Sequence, residues 1–204
     1  IITGLVGSEM CIRDSDYTPS YNLSPTQNSL VLVHNKRRVI YSMRWGFGFD
    51  AKRRPIFNAR SETLDTKPTF KNLIHKNRCI VLSDGFYEWK QNGTSKIPHF
   101  ICHKDNQILP MAGLCKWDVD GEGVKKLVFT IITKEARDSL KHIHHREPVI
   151  LTKKAVKSWI TVNEPQNKPL NVLQDNLDGM ISYPVDNYVN TSSNDGVKCI
   201  SQLN

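Results

Sequence analysis

Residues 78–90 read RCIVLSDGFYEWK. Cys79 to Leu82 form a short apolar run, Asp84 and Gly85 are a turn signal, and an aromatic-rich run follows. This pattern predicts a strand, a turn and a second strand. On the second strand Tyr87 and Trp89 share one face, and Phe86, Glu88 and Lys90 share the other. A carboxylate set among large aromatics is at least partly desolvated. Desolvation raises its pKa and prepares it for proton transfer. The competing reading is an exposed edge residue paired with Lys90, and spacing does not choose between the two.

The same signals recur on either side. SLVLVHNKRRVIYSMRW (29–45) is two β-rich runs about a turn at Asn35 and Lys36, a hairpin. PIFNARSET (55–63) is a short strand entering a polar loop, and KPTFKNLIHKN (67–77) has helical spacing at Phe70, Leu73 and Ile74. QNGTSK (91–96) is a turn between strands, as is VDGEG (119–123), and KKLVFTIITK (125–134) is the strongest β signal in the chain. Thr152 is placed to cap a helix over 153–160, with short helices predicted near 135–143 and 170–177. MISYPV (180–185) and VKCISQL (197–203) are expected to close the chain as strands. Strands outnumber helices and adjoin through turns. The expected fold is α+β: a β-rich antiparallel sheet or barrel-like single domain with peripheral helices.

The opening IITGLVGSEMCIRDS (1–15) shows neither periodicity. It is set aside as non-native, like a fusion scar, leaving 16–204 as the domain. It is a poor signal peptide, and no apolar run is long enough to span a bilayer. Of 204 residues 39% are hydrophobic and 24% charged, which argues against disorder. The formal net charge of +8 favours polyanionic partners. Five cysteines at wide spacings, with no C-x-x-C pair, fit neither a disulfide framework nor a zinc ribbon and point to a reducing, intracellular setting.

Four segments place polar groups where a core would take apolar ones. In 58–63 Asn58 offers a two-way amide and Arg60 a planar fork suited to phosphate. The plainer reading is a loop with a surface Arg60–Glu62 pair. The second segment carries Tyr87 and Glu88. The third, HIHHREP (142–148), holds three histidines in four residues, any of which suits acid–base work near neutrality, followed by Arg146. No ligand partner stands at a convincing spacing, so no metal is expected, and a solvated helix end is the alternative. The fourth, SYNLSPT (20–26), contains Asn22 and Pro25. Basic clusters at 36–38, 52–54, 125–126 and 153–154 join aromatics such as Trp45 as elements of a single-strand groove, although charge runs are commonly solvated turns.

Taken in order, YNLSPT, MRWG, FNARSET, RCIVLSDGFYEWK, MAGL, FTIIT, HIHHREPVIL and YPV make the chain similar to the SOS-response-associated peptidase family, from about residue 20 to the end. The resemblance implies a β-rich domain with a positively charged channel for single-stranded DNA, working as a monomer without cofactor or membrane. In such proteins removal of the initiator Met exposes an N-terminal Cys. Its amine and thiol close a thiazolidine on the aldehyde of an abasic sugar, an adduct that is retained. Carried onto this chain, the resemblance makes Glu88, His144 and Asn58 catalytic. Glu88 shuttles protons, His144 helps to open the sugar, and Asn58 orients the Cys or the sugar. Arg60, Pro25, Trp45, Asn22, Tyr87 and Arg146 are expected along the DNA, in one cationic cleft.

The family opens Met-Cys-Gly-Arg-Phe, which Met10, Cys11, Ile12 and Arg13 only imitate. The expectation is that the true start is lost and that Cys11 is not the nucleophile. Glu147 stands where Met or Arg is usual, putting a negative charge beside His144. Two other readings stay open: a single-stranded nucleic-acid-binding module without chemistry, and a peptidase acting on other proteins. The expected location is the nucleus in a eukaryote and the cytoplasm in a bacterium.

Overall fold

The computed structural model describes residues 11–12, 17–48, 54–161 and 169–203. The strands are β1 (Cys11–Ile12), β2 (Asn28–Asn35), β3 (Arg37–Trp45), β4 (Asn58–Arg60), β5 (Arg78–Ser83), β6 (Gly85–Asn92), β7 (Ser95–His103), β8 (Leu109–Val119), β9 (Lys125–Glu135), β10 (Arg146–Pro148) and β11 (Met180–Pro184). The helices are short: α1 (Pro68–Lys71), α2 (Leu73–Lys76), α3 (Asp138–Lys141), α4 (Lys153–Ile160) and α5 (Pro169–Val172).

Five strands form a closed ring. Neighbours β3–β2–β5–β8–β9 are antiparallel, and β3 returns to β9 in parallel, with Arg44 opposite Val128 and Trp45 opposite Phe129. The expected barrel-like, β-rich fold is therefore what the chain adopts. Its closure is not antiparallel, however, and β1–β3 and β4–β9 are also parallel. Parallel pairs join strands remote in sequence, so no turn residue announces them.

Alternation along the ring sorts its side chains into two cores. Leu32, Ile40, Ile80, Ala112, Leu114, Val128 and Ile132 face outward beneath Phe70, Ile74, Val156 and Trp159 of the helices. Val31, Met43, Cys79, Val81, Met111, Cys115 and Phe129 form a second cluster, which draws on the strands and faces the ring interior. The hydroxyl of Thr152 accepts from Ala155 N at 3.3 Å, capping α4 as expected. Arg78, 4% exposed, donates to the carbonyls of Ile74, Trp159 and Thr161. One buried guanidinium thus satisfies the C-terminal ends of α2 and α4.

A second sheet, β11–β7–β6, stands apart from the ring. The strand–turn–strand reading of 78–90 gives both strands, but they do not pair. Asp84 is the bend at which the chain leaves one sheet for the other. The expected strand over 197–203 is instead a 3-10 turn at Val197–Ile200, with a single bridge from Gln202 to Val185. That turn drops Cys199, fully buried, onto Phe100, Cys102, Val185 and Val189, a contact an extended segment would not give.

Candidate functional site

Gly85 sets where β6 runs. A Cβ there would lie 2.3 Å from the Phe100 ring and 2.7 Å from the Ile101 carbonyl oxygen, so only glycine lets β6 approach β7 this closely. β6 then passes over one mouth of the ring, and between them lies a cleft of about 600 Å³. Its floor is the end of the interior core: Trp45, Val81, Met111, Phe129 and Ile131. Its walls are Phe86, Tyr87, Glu88 and Trp89, the loop from Tyr21 to Pro25, Asn58, Val189 and Asn190.

Hydrogen bonds hold these walls. Asn22 is 6% exposed, and its Nδ2 donates to the carbonyls of Val189, Thr191 and Asn194 at 3.0–3.1 Å. Tyr21 N donates to Asp195 Oδ1 at 2.6 Å, and the Tyr87 hydroxyl donates to Tyr21 O at 2.6 Å. Trp45 Nε1 donates to Phe57 O at 2.9 Å, with its ring stacked on Phe129 at 6.2 Å. Trp89 Nε1 donates to Asn190 Oδ1 at 2.7 Å. The amide nitrogen of Asn22 and the hydroxyl proton of Tyr87 are therefore committed to the protein's own backbone. Burial pushes the Tyr87 phenol well above its usual range, so it stays a donor.

Asn58 lines the cleft and is exposed. Strand alternation buries Ala59 and places Arg60 on the same outward side as Asn58. Glu88 also lines the cleft, with its side chain 27% exposed and its Oε1 3.7 Å from His144 Nδ1. Burial raises the Glu88 pKa, against opposing pulls from His144 and the Trp89 amide. The pairing partner of Glu88 is thus a histidine 56 positions on, not Lys90. His144 Nδ1 lies 3.1 Å from Arg146 O and 3.2 Å from Arg146 N, so the Arg146 backbone fixes the ring. Among the described residues no three His, Cys, Asp or Glu side chains are grouped to hold a metal.

Three expectations need correction. The cleft is not cationic inside: among the described lining residues the charged ones are Asp84 and Glu88. Positive charge stands on its rim, where Arg60 lies beside Asn58 and Arg44 Nε donates to Thr26 O next to Pro25. The basic cluster at 36–38 sits at the far end of the β2–β3 hairpin, Lys126 pairs with Asp120 at 2.6 Å, and 52–53 lie outside the described residues. Next, Glu62 pairs with Arg146 rather than Arg60. Last, Glu147 does not act on His144. It is 1% exposed and binds Arg137 Nε at 2.9 Å, because alternation on β10 turns it away from Arg146. Cys11 is placed by its backbone alone, opposite Val39, six positions before Trp45 and so roughly 20 Å along β3 from the cleft. Residues 1–10 and 13–16 lie outside the described residues. Sequence reasoning missed the partners of Glu62 and Asn190, which stand 84 and 101 positions away.

The chain is similar to known proteins. The chain is 36% identical to the abasic site processing protein YoqW of Bacillus subtilis over 202 aligned positions, covering 93% of this chain and 88% of that one. It is 32% identical to the abasic site processing protein HMCES of Gallus gallus, covering 93% and 68%. A crystal structure of a protein from Bacteroides thetaiotaomicron superposes with a TM-score of 0.74 at 25% identity, covering 87% of this chain and 82% of that chain. The family model for SOS response associated peptidase matches residues 6–192, a span that starts inside the segment set aside above and takes in every residue of the cleft walls named here. With most of its length matched, the chain belongs to the SOS response associated peptidase (SRAP) family.

Proposed function

We propose that this protein processes abasic sites in single-stranded DNA, holding the lesion in the cleft and forming a covalent thiazolidine through an N-terminal cysteine. The observation that carries the reading is that Glu88, which lines the cleft together with Asn58, stands 3.7 Å from His144 behind it. The relatives named abasic site processing proteins supply the substrate class.

The chemistry suits these groups. The open abasic sugar carries an aldehyde. A cysteine amine adds to it and the hydroxyl leaves as water, giving an iminium ion. The thiol sulfur then adds to the same carbon, and its proton is released as the five-membered ring closes. Glu88, protonated to higher pH than a free carboxyl, gives the proton that the departing hydroxyl needs and afterwards takes the thiol proton. His144 assists opening of the sugar ring, Asn58 orients the aldehyde, and Arg60 holds a flanking phosphate. Pro25 and Trp45 line the strand's path. Asn22 and Tyr87 act by fixing the walls, and Arg146 offers its remaining Nη1 proton to DNA. No metal or cofactor takes part. The protein acts as a monomer, inside the cell.

The test uses two forms of the chain: one begun at Met10, so that Met removal leaves Cys11 first, and one given the family's Met-Cys-Gly-Arg-Phe start. Each is mixed with an abasic single-stranded oligonucleotide and with its intact twin. A denaturation-resistant adduct on the abasic strand alone, lost on Glu88→Ala, is the expected result. Equal, salt-sensitive binding of both strands with no adduct from either form contradicts it and leaves a binding module.

A further inference from the structure

Glu62 stands four residues past Asn58, in the 3-10 turn Ser61–Thr63. Its carboxylate accepts from both ends of one guanidinium: Arg146 Nη1 at 2.8 Å and Nη2 at 3.0 Å. Arg146 Nη2 also donates to Thr133 O at 2.7 Å. Thr133 is opposite Arg60 in the β4–β9 pairing and opposite Pro148 in the β9–β10 pairing. One fork therefore ties the segment bearing Asn58 to the two strands that position His144. Arg146 Nε is buried with no partner among the described residues, so the grip on this side chain comes from Glu62 and Thr133. The backbone of the same Arg146 sets the His144 ring through contacts of 3.1 and 3.2 Å.

By charge alone an exposed carboxylate here opposes DNA, since Glu62 is 51% exposed and shares the outer surface with Arg60. Its benefit lies in geometry: a two-point carboxylate–guanidinium bond fixes direction as well as distance. The Arg146 hydrogen bond holds the Glu62 carboxyl below its usual range, so the anion persists into mild acid.

We propose that Glu62 is a positioning residue: acting through Arg146, it sets the His144 ring against Glu88 and the β4 segment against the cleft. The inference rests on the function proposed above, and its test separates the two. Glu62→Gln keeps the size and removes the charge. With the adduct-forming protein it is expected to bind the abasic oligonucleotide as tightly as the unaltered protein, or more tightly, while the first-order rate of adduct formation at saturating strand falls roughly tenfold, as misplaced reacting groups require. A residue that only repels DNA would bind better and react no slower; a residue that contacts DNA would bind worse. Glu122→Gln removes the same charge at the β8–β9 hairpin tip and should leave both unchanged. The second readout needs no adduct. In the full chain without DNA, the His144 ring nitrogen shifts at fixed pH should move in Glu62→Gln and not in Glu122→Gln. A rate within about twofold of the unaltered protein, binding that weakens in step with the rate, or an unmoved His144 ring overturns the proposal. Absence of any adduct from the unaltered protein defeats the functional reading alone, and the ring signals still decide Glu62.

Discussion

The two strands within residues 78–90 are seven residues apart at their starts and lead different lives. β5 pairs on both sides, with β2 and β8, and buries Cys79, Ile80 and Val81 to 3% exposure or less. β6 pairs on one side only, with β7, and its residues are half-buried or exposed throughout. An interior strand is insulated by its neighbours and stabilises the ring. An edge strand keeps one flank open, and here that flank carries Glu88 to the cleft. The bend at Asp84 thus divides a part of the chain that holds the fold from a part that lines the cleft.

Aromatic truncation on the two sides should show the contrast most strongly. Trp159, fully buried against the β5 backbone through its bond to Cys79 O, should cost about 3–5 kcal/mol on Trp159→Ala. Trp89 on β6, 36% exposed, should cost no more than about 1 kcal/mol on Trp89→Ala, mainly through its bond to Asn190. Denaturant unfolding of both variants checks the difference, and equal losses would erase the distinction. Gly85→Ala attacks the junction itself. The added methyl meets the Phe100 ring and a backbone oxygen, so a loss of about 1–3 kcal/mol is expected, with adduct formation impaired by the displaced β6.

The smallest effect has a distinctive sign. Burial raises the Glu88 pKa in the folded state, so the ionised form opposes folding. Relative to an isosteric neutral group, nothing is lost below the unfolded pKa, and stability is lost as pH rises through the folded one. Glu88→Gln should therefore raise thermal stability at neutral pH, and the gain should vanish below the ordinary carboxylate range. A variant less stable than the parent at neutral pH would contradict the desolvated site.

Elements with local signals were legible in the sequence. The alternation of β9, the turn at Lys36 (φ 62°) and the Thr152 cap each rest on a few adjacent residues. Closure of the ring was not, because Trp45 and Phe129 meet in parallel with no turn between them. The strand expected at 197–203 failed for the related reason that burial of Cys199 outweighed its β-rich composition. At the site, residue types offered Glu88, Asn58 and the histidines of 142–145 as candidates, and the resemblance singled out His144. The resemblance implied a cationic cleft, but net charge does not say where the charges stand: Arg60 and Arg44 stand at the rim, and the 36–38 cluster lies at the far end of its hairpin. The Glu62–Arg146 bond and the carbonyls around Asn22 depend on packing alone, so no spacing could reveal them.

The measurement closest to the central claim is the rate of adduct formation on an abasic strand for Glu88→Gln, His144→Ala and the double variant. Groups that act as one unit in one cleft lose their effect together, so the double variant should be no slower than the slower single variant. Losses that multiply in the double variant, or single variants that react at the parent rate, would contradict the account.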